Sequence, residues 1–169
     1  MDVYEAIRSR RSIRGYRDRP VPEDVLRRVL EAARRAPSAR NRQEWRFLAA
    51  RDPGVRQALA GAVRGNTFVG QAPVILAFCA TEDTDVMSCG QKAGPIDVSI
   101  ALAFVTLAAV AEGLGTCWLG SFEEAKVKAI LGVPDGARVV AMTPLGWPAE
   151  TPDAKPRKAF DEVVRFDHW

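Results

Sequence analysis

The chain has 169 residues and a mass of 18.5 kDa, with 47% hydrophobic and 27% charged residues. That composition supports one packed domain over 1–169 and excludes a disordered tail, a fibrous repeat or a disulfide scaffold. The net charge is only +3, yet residues 1–46 hold thirteen arginines against seven acids. This lopsidedness points to a phosphate or polyanion partner, unless the arginines are simply solvated faces.

Along the chain, residues 2–9 read as a short helix. Pro20-Val21-Pro22-Glu23-Asp24 starts a second, with prolines before it and acids in its first turn; Leu26, Val29, Leu30 and Ala33 mark its apolar face. It stops at Ala36-Pro37, as the residue before a proline disfavours helix. Residues 37–44 read as a polar loop, 45–50 as a strand and 53–63 as a helix. The apolar run 73–80 reads as a buried central strand. The stretch 96–112 reads as a buried central helix rather than a membrane span, because it is short and contains Asp97, Ser99 and Thr106. A short strand at 116–119, a helix at 123–131, a strand at 139–145 and a last strand at 163–166 complete the pattern. The predicted class is α+β, with helices packed on a modest sheet.

Chemically armed side chains are few. His168 is the only histidine, so a His-dependent triad is disfavoured. Cys79, Cys89 and Cys117 form no framework, and no Cys/His pair has zinc-ligand spacing. An enzyme with this sequence would draw its hard chemistry from something bound. No apolar leader opens the sequence, so the expected location is the cytoplasm, with reduced thiols. Neither glycine-rich phosphate motif, G-x-G-x-x-G or G-x-x-x-x-G-K, occurs, so a nucleotide-like cofactor would need arginines for its phosphate.

Four segments fit that need. In Arg10-Arg11-Ser12-Ile13-Arg14, alternate residues of an extended chain point one way, so Arg10, Ser12 and Arg14 converge as an anion site. Pro37-Ser38-Ala39-Arg40-Asn41-Arg42-Gln43 is a loop rich in hydroxyl and amide groups, suited to a heterocycle edge. Gly113-Leu114-Gly115-Thr116-Cys117-Trp118-Leu119-Gly120 has glycines on both sides of a short strand, which permit close approach to a flat ligand. Lys155-Pro156-Arg157-Lys158 is a basic cluster. Each has a plain alternative as a surface face, a capped turn, a helix stop or a solvated loop.

In this order and spacing, with Pro20-Val21-Pro22-Glu23, Trp45, Ala72-Pro73-Val74 and Gly146-Trp147-Pro148, the chain resembles the FMN-dependent nitroreductase family over nearly its whole length. The resemblance implies a central mixed or antiparallel sheet flanked by helices, in an intertwined homodimer with two interfacial FMN sites. Arg10 and Ser12 match residues that hold the FMN phosphate and ribityl chain, and Arg11 between them is counted with the cofactor-binding residues. Arg14 matches a basic position near flavin N1/O2, where a cation stabilises the reduced, anionic form. Lys155 and Arg157 match a basic pair closing on the phosphate. Pro37, Ser38, Asn41 and Gln43 match the loop that reaches the flavin from the other subunit. Leu119 and Gly120 match backbone positions whose N–H groups approach N5, with Cys117 and Trp118 just before them.

The implied activity is reduction of nitroaromatic, quinone or related small-molecule acceptors by NAD(P)H, in a ping-pong hydride transfer on the flavin. Flavin reduction, enone reduction and reductive dehalogenation are alternatives on the same scaffold. An arginine-rich nucleic-acid-binding module and a flavin-free structural dimer are alternatives of other classes. The expected partners exclude nucleic acid and membrane. Three departures bear on the substrate: the chain is a short member, Gly70 stands where some relatives have an amide that Asn66 would replace, and Leu119 stands where some carry Glu. Cys117 reads as a small buried strand residue.

Overall fold

A computed structural model describes residues 1–65, 67–82 and 84–169. The helices are α1 (Val3–Ser9), α2 (Glu23–Arg34), α3 (Pro53–Ala62), α4 (Ala93–Ala111), α5 (Glu124–Leu131) and α6 (Phe160–Val163). The strands are β1 (Trp45–Ala50), β2 (Val74–Ala80), β3 (Gly115–Thr116) and β4 (Arg138–Gly146), and 310 turns occupy Ala39–Asn41 and Thr67–Gln71. The sheet order is β1-β2-β4-β3, antiparallel throughout. A parallel element enters only through an isolated bridge between Ser12 and Thr116.

The sheet is covered on both faces. Val74, Leu76, Phe78 and Ala80 of β2 pack with Val29 of α2 and with Val98, Leu102 and Val105 of α4. The alternate residues Ile75, Ala77 and Cys79 pack with Leu59 of α3 and Val127 of α5. Strand side chains alternate in direction, so a continuous apolar run is the sequence needed for a strand buried on both sides. Burial of each large side chain here, such as Phe78 or Leu76, contributes about 1.5–3 kcal/mol.

Local sequence sets the helix ends. Asp2 accepts the Glu5 N–H (2.8 Å) and Asp52 the Val55 N–H (2.9 Å), each capping a helix start. By length and composition α4 could cross a membrane. Its Val98, Ala101, Leu102, Val105 and Ala109 are instead buried in the protein, as a core helix requires.

Two expected strands differ. Pairing of the 116–119 segment is interrupted: β3 ends at Thr116, and only Leu119 bridges again, to Met142. Between them the Cys117 N–H donates to the Thr143 hydroxyl (3.1 Å), and Trp118 turns outward, 45% exposed. The 163–166 segment is not a strand in this chain. Its first residue closes the short helix α6, and Val163 and Phe166 are exposed, with no neighbouring strand of the chain to pair with.

Candidate functional site

The arginine segment after α1 lies along the rim of the sheet. The Ile13 N–H donates to the Thr116 carbonyl (2.9 Å), the Ala149 N–H to the Gly15 carbonyl (2.9 Å) and the Arg17 N–H to the Trp147 carbonyl (2.9 Å). Its seat is a pair of glycines facing each other across β3 and β4, Gly115 and Gly146. A Cβ on Gly115 would lie 2.6 Å from Ile13 Cγ1; one on Gly146 would lie 2.5 Å from Pro73 Cδ and 3.1 Å from Tyr16 Cδ1. The closeness these glycines allow is therefore taken up by the protein's own Ile13, Pro73 and Tyr16. The side of the turn at Gly120 is open: among the described residues, beyond its chain neighbours, no atom lies within 4 Å of a Cβ placed there.

With Ile13 and Tyr16 buried, Arg10, Arg11, Ser12 and Arg14 face a cleft of about 440 Å³, within the range of small-ligand sites. Its opposite wall is the 152–157 segment, including Lys155 and Arg157. The structure thus brings together residues from both ends of the sequence. The Arg14 N–H donates to Glu150 Oε1 (2.5 Å), which fastens the two walls. Arg11 turns back, donating to the Arg8 and Arg10 carbonyls (2.7 and 2.9 Å).

Several arginines are held by carboxylates. Arg27 pairs with Glu23, Arg28 with Asp24 and Glu112, Arg34 and Arg35 with Glu31, and Arg42 with Glu82 and Asp85. Arg34 and Arg35 hold the Glu31 carboxyl down to about 2. Among the described residues, Arg10, Arg14, Lys155 and Arg157 have no carboxylate within ion-pair distance. A larger groove of about 680 Å³ between α2, α3 and α5 also holds arginines, but Arg27 and Arg51 both pair there with Glu23. Unneutralised cations converge in the cleft, whose one acidic lining residue is Asp153. That donor set suits a phosphate monoester. A basic face for nucleic acid would need the arginines of α2, which are occupied.

The other expected residues lie elsewhere. Pro37, Ser38, Asn41 and Gln43 do not line the cleft within one chain. Trp118, Leu119 and Gly120 do not line it either. The Leu119 N–H donates to the Met142 carbonyl (2.8 Å), so it is not available to a ligand; among the described residues the Gly120 N–H meets no acceptor. Cys117 lies within electrostatic reach of Arg14, Ser12 and Arg10, which lower its thiol pKa, but burial dominates and raises it. It is a buried thiol, not an activated nucleophile. Asn66 lies outside the described residues. Glu124 does more than open α5: its carboxylate pairs with Arg138 and accepts the Val139 N–H (2.9 Å), joining α5 to β4.

Glu150, Asp153 and Thr143 carried no recognisable motif. Ile13 did leave a signal, as the one apolar residue in a polar alternating run.

The chain is 37% identical to a Thermus thermophilus protein named NADH dehydrogenase, over 97% of this chain and 95% of that one. It is 30% identical to a Bacillus subtilis protein named FMN reductase [NAD(P)H], over 92% and 70%. A solved nitroreductase family protein from Clostridium novyi superposes with a TM-score of 0.85 at 32% identity, covering 90% of this chain and 89% of that one. The model of the nitroreductase family matches residues 7–67 and 61–147. The chain belongs to the nitroreductase family.

Proposed function

We propose that this protein is an FMN-dependent oxidoreductase that takes electrons from NADH or NADPH and delivers them to nitroaromatic, quinone or related small acceptors. The observation that carries the reading is the cleft in which Arg10, Ser12, Arg14, Lys155 and Arg157 converge without carboxylate partners among the described residues, while the arginines of α2 are neutralised. The relative named FMN reductase [NAD(P)H] supports the choice of cofactor and donor. When bound, FMN supplies hydride acceptance and donation, chemistry that no side chain here provides.

In this reading Arg10, Arg157, Lys155 and the Ser12 hydroxyl bind the phosphate and ribityl end. Arg14 provides the positive field that favours negative charge at the N1/O2 edge of the ring. The Gly120 N–H, rather than that of Leu119, is the backbone donor free to meet N5. The Pro37–Gln43 loop presents its amides to the flavin held by a partner subunit. One domain per chain, with a complete site only in a pair of chains, follows.

An intertwined homodimer is supported by exposed apolar side chains: Tyr4 and Ile7 on α1, Phe104 on α4, and Phe160, Val163 and Phe166 in the last segment. It is supported too by the outer edge of β1, which no strand among the described residues covers. The free cysteines suit the cytoplasm.

The test is titration of the apoprotein with FMN, followed by flavin fluorescence. Wild-type protein is expected to bind and become yellow. An Arg10→Ala/Arg157→Ala pair is expected to weaken binding by about 100-fold or more, since hydrogen bonds to charged groups contribute about 1.5–3 kcal/mol each. Wild-type protein that takes up no FMN, or a double variant with unchanged affinity, would refute the assignment.

A further inference from the structure

Asp97, in the second turn of α4, is the one charged residue of that helix, and it is only 7% exposed. Both oxygens point at a single donor, the backbone N–H of Ala39, at 3.0 and 3.1 Å. No cation pairs with it among the described residues. A buried charge with one neutral donor is costly, and helix packing alone would favour an apolar side chain.

The gain lies in the loop. Ala39 opens the 310 turn, and just beyond it Arg40, Asn41 and Gln43 hold φ values of 52°, 55° and 57°. Residues with side chains rarely adopt this left-handed conformation, and three so close together persist only when surrounding contacts fix them. The Gln43 N–H donates to Ser38 Oγ (3.1 Å), and the Gln43 amide donates to the Asn41 carbonyl and Oδ1 (3.1 and 3.2 Å). Arg42 is clamped by Glu82 and Asp85 at 2.7 and 2.9 Å, contacts that stay partly open to solvent and so are weakened by salt. The tie to Asp97 is the buried one.

We infer that Asp97 is a positioning residue: it locks the Ala39 N–H and thereby holds the Asn41 and Gln43 amides in one fixed, strained presentation toward the cofactor. The inference rests on the proposal that this loop meets FMN. A preformed loop spares the ordering entropy that binding would otherwise cost.

The experiment uses the full-length protein, wild type against Asp97→Ala and Asp97→Asn. The readouts are FMN affinity, the inhibition constant of inorganic phosphate against FMN, and the rate of tryptic cleavage after Arg40 and Arg42 in the apoprotein. Loss of the acceptor in Asp97→Ala is expected to weaken FMN roughly tenfold or more. It should speed cleavage at Arg40 and Arg42 and leave phosphate inhibition unchanged. Asn still offers an acceptor oxygen and is expected to restore both affinity and protection. If Asp97→Ala does not fold, Asp97→Leu carries the same test, since Leu fills similar space in apolar surroundings. FMN affinity and loop cleavage unchanged in a folded variant lacking the acceptor would overturn the inference. Equal loss of phosphate and FMN binding, or an Asn variant as impaired as Ala, would overturn it too. Wild-type protein that binds no FMN would instead overturn the functional proposal itself.

Discussion

Replacing Gly115 by alanine is a one-carbon change whose outcome can be worked out from contacts. The backbone there is not left-handed, so alanine is conformationally allowed; reduced freedom of the unfolded chain would by itself stabilise by about 0.4–1 kcal/mol. Against this, the new Cβ would lie 2.6 Å from Ile13 Cγ1 and 2.8 Å from Ile13 Cβ. The second atom is fixed to the backbone, so a rotamer change cannot relieve the overlap. Overpacking of this kind costs about 1–3 kcal/mol, and the overlap wins. At roughly 2–4 °C per kcal/mol for a chain of this size, a lowered Tm is expected in a thermal melt. Ile13→Ala, which alone costs about 2–5 kcal/mol, should cost less in the Gly115→Ala background. The coupling in this double-mutant cycle is expected at about 1 kcal/mol or more in the compensating direction. An alanine variant as stable as wild type, or an Ile13→Ala cost identical in both backgrounds, would refute the claim that this contact seats the arginine segment.

Two further outcomes are expected. Thr143→Val keeps the shape of a fully buried side chain but orphans the Cys117 N–H, and should destabilise by about 1–3 kcal/mol in urea titrations; Thr143→Ser should cost less, and a neutral Val variant would show that this hydrogen bond does not set the turn. Arginine partners lower the pKa of Asp24, Glu31, Glu112 and Glu124, and Lys126 that of Glu123. Carboxylates with depressed folded-state values stabilise above their unfolded values, so the urea midpoint should fall as pH drops from the ordinary 4.5 toward about 2, less steeply in high salt; a flat midpoint across that window would contradict the pairing.

How much of this was legible beforehand depended on whether a signal was local. β1 and β2 were readable because strand composition and bounding turns are local, and Val74–Ala80 is buried on both faces. The Arg10, Ser12 and Arg14 face was readable from simple alternation. The end of β3 at Thr116 was not, because it is decided by a hydroxyl 26 residues away. Nor was the commitment of the Leu119 N–H to Met142, a matter of sheet register. The 163–166 segment has strand-like residues but no strand of its own chain beside it, and sequence alone does not say where a partner lies. Asp97 was visible only as a polar interruption in an apolar run. Its role belongs to the loop it touches, 58 residues earlier.

The cleft walls come from segments 136 residues apart, joined where Glu150 meets the Arg14 N–H and, beside it, where the Ala149 N–H meets the Gly15 carbonyl. An anion gripped from both sides would act as a further, removable cross-link across a loop that these backbone hydrogen bonds already close and that spans most of the polypeptide. The entropy of such a closure grows only slowly with loop length, so the thermodynamic reward for spanning so far is modest. The structural consequence is plainer: the cleft is complete only when both terminal segments are in place. Fraying of either terminal segment would open the cleft, so a bound anion would hold both ends of the chain in place.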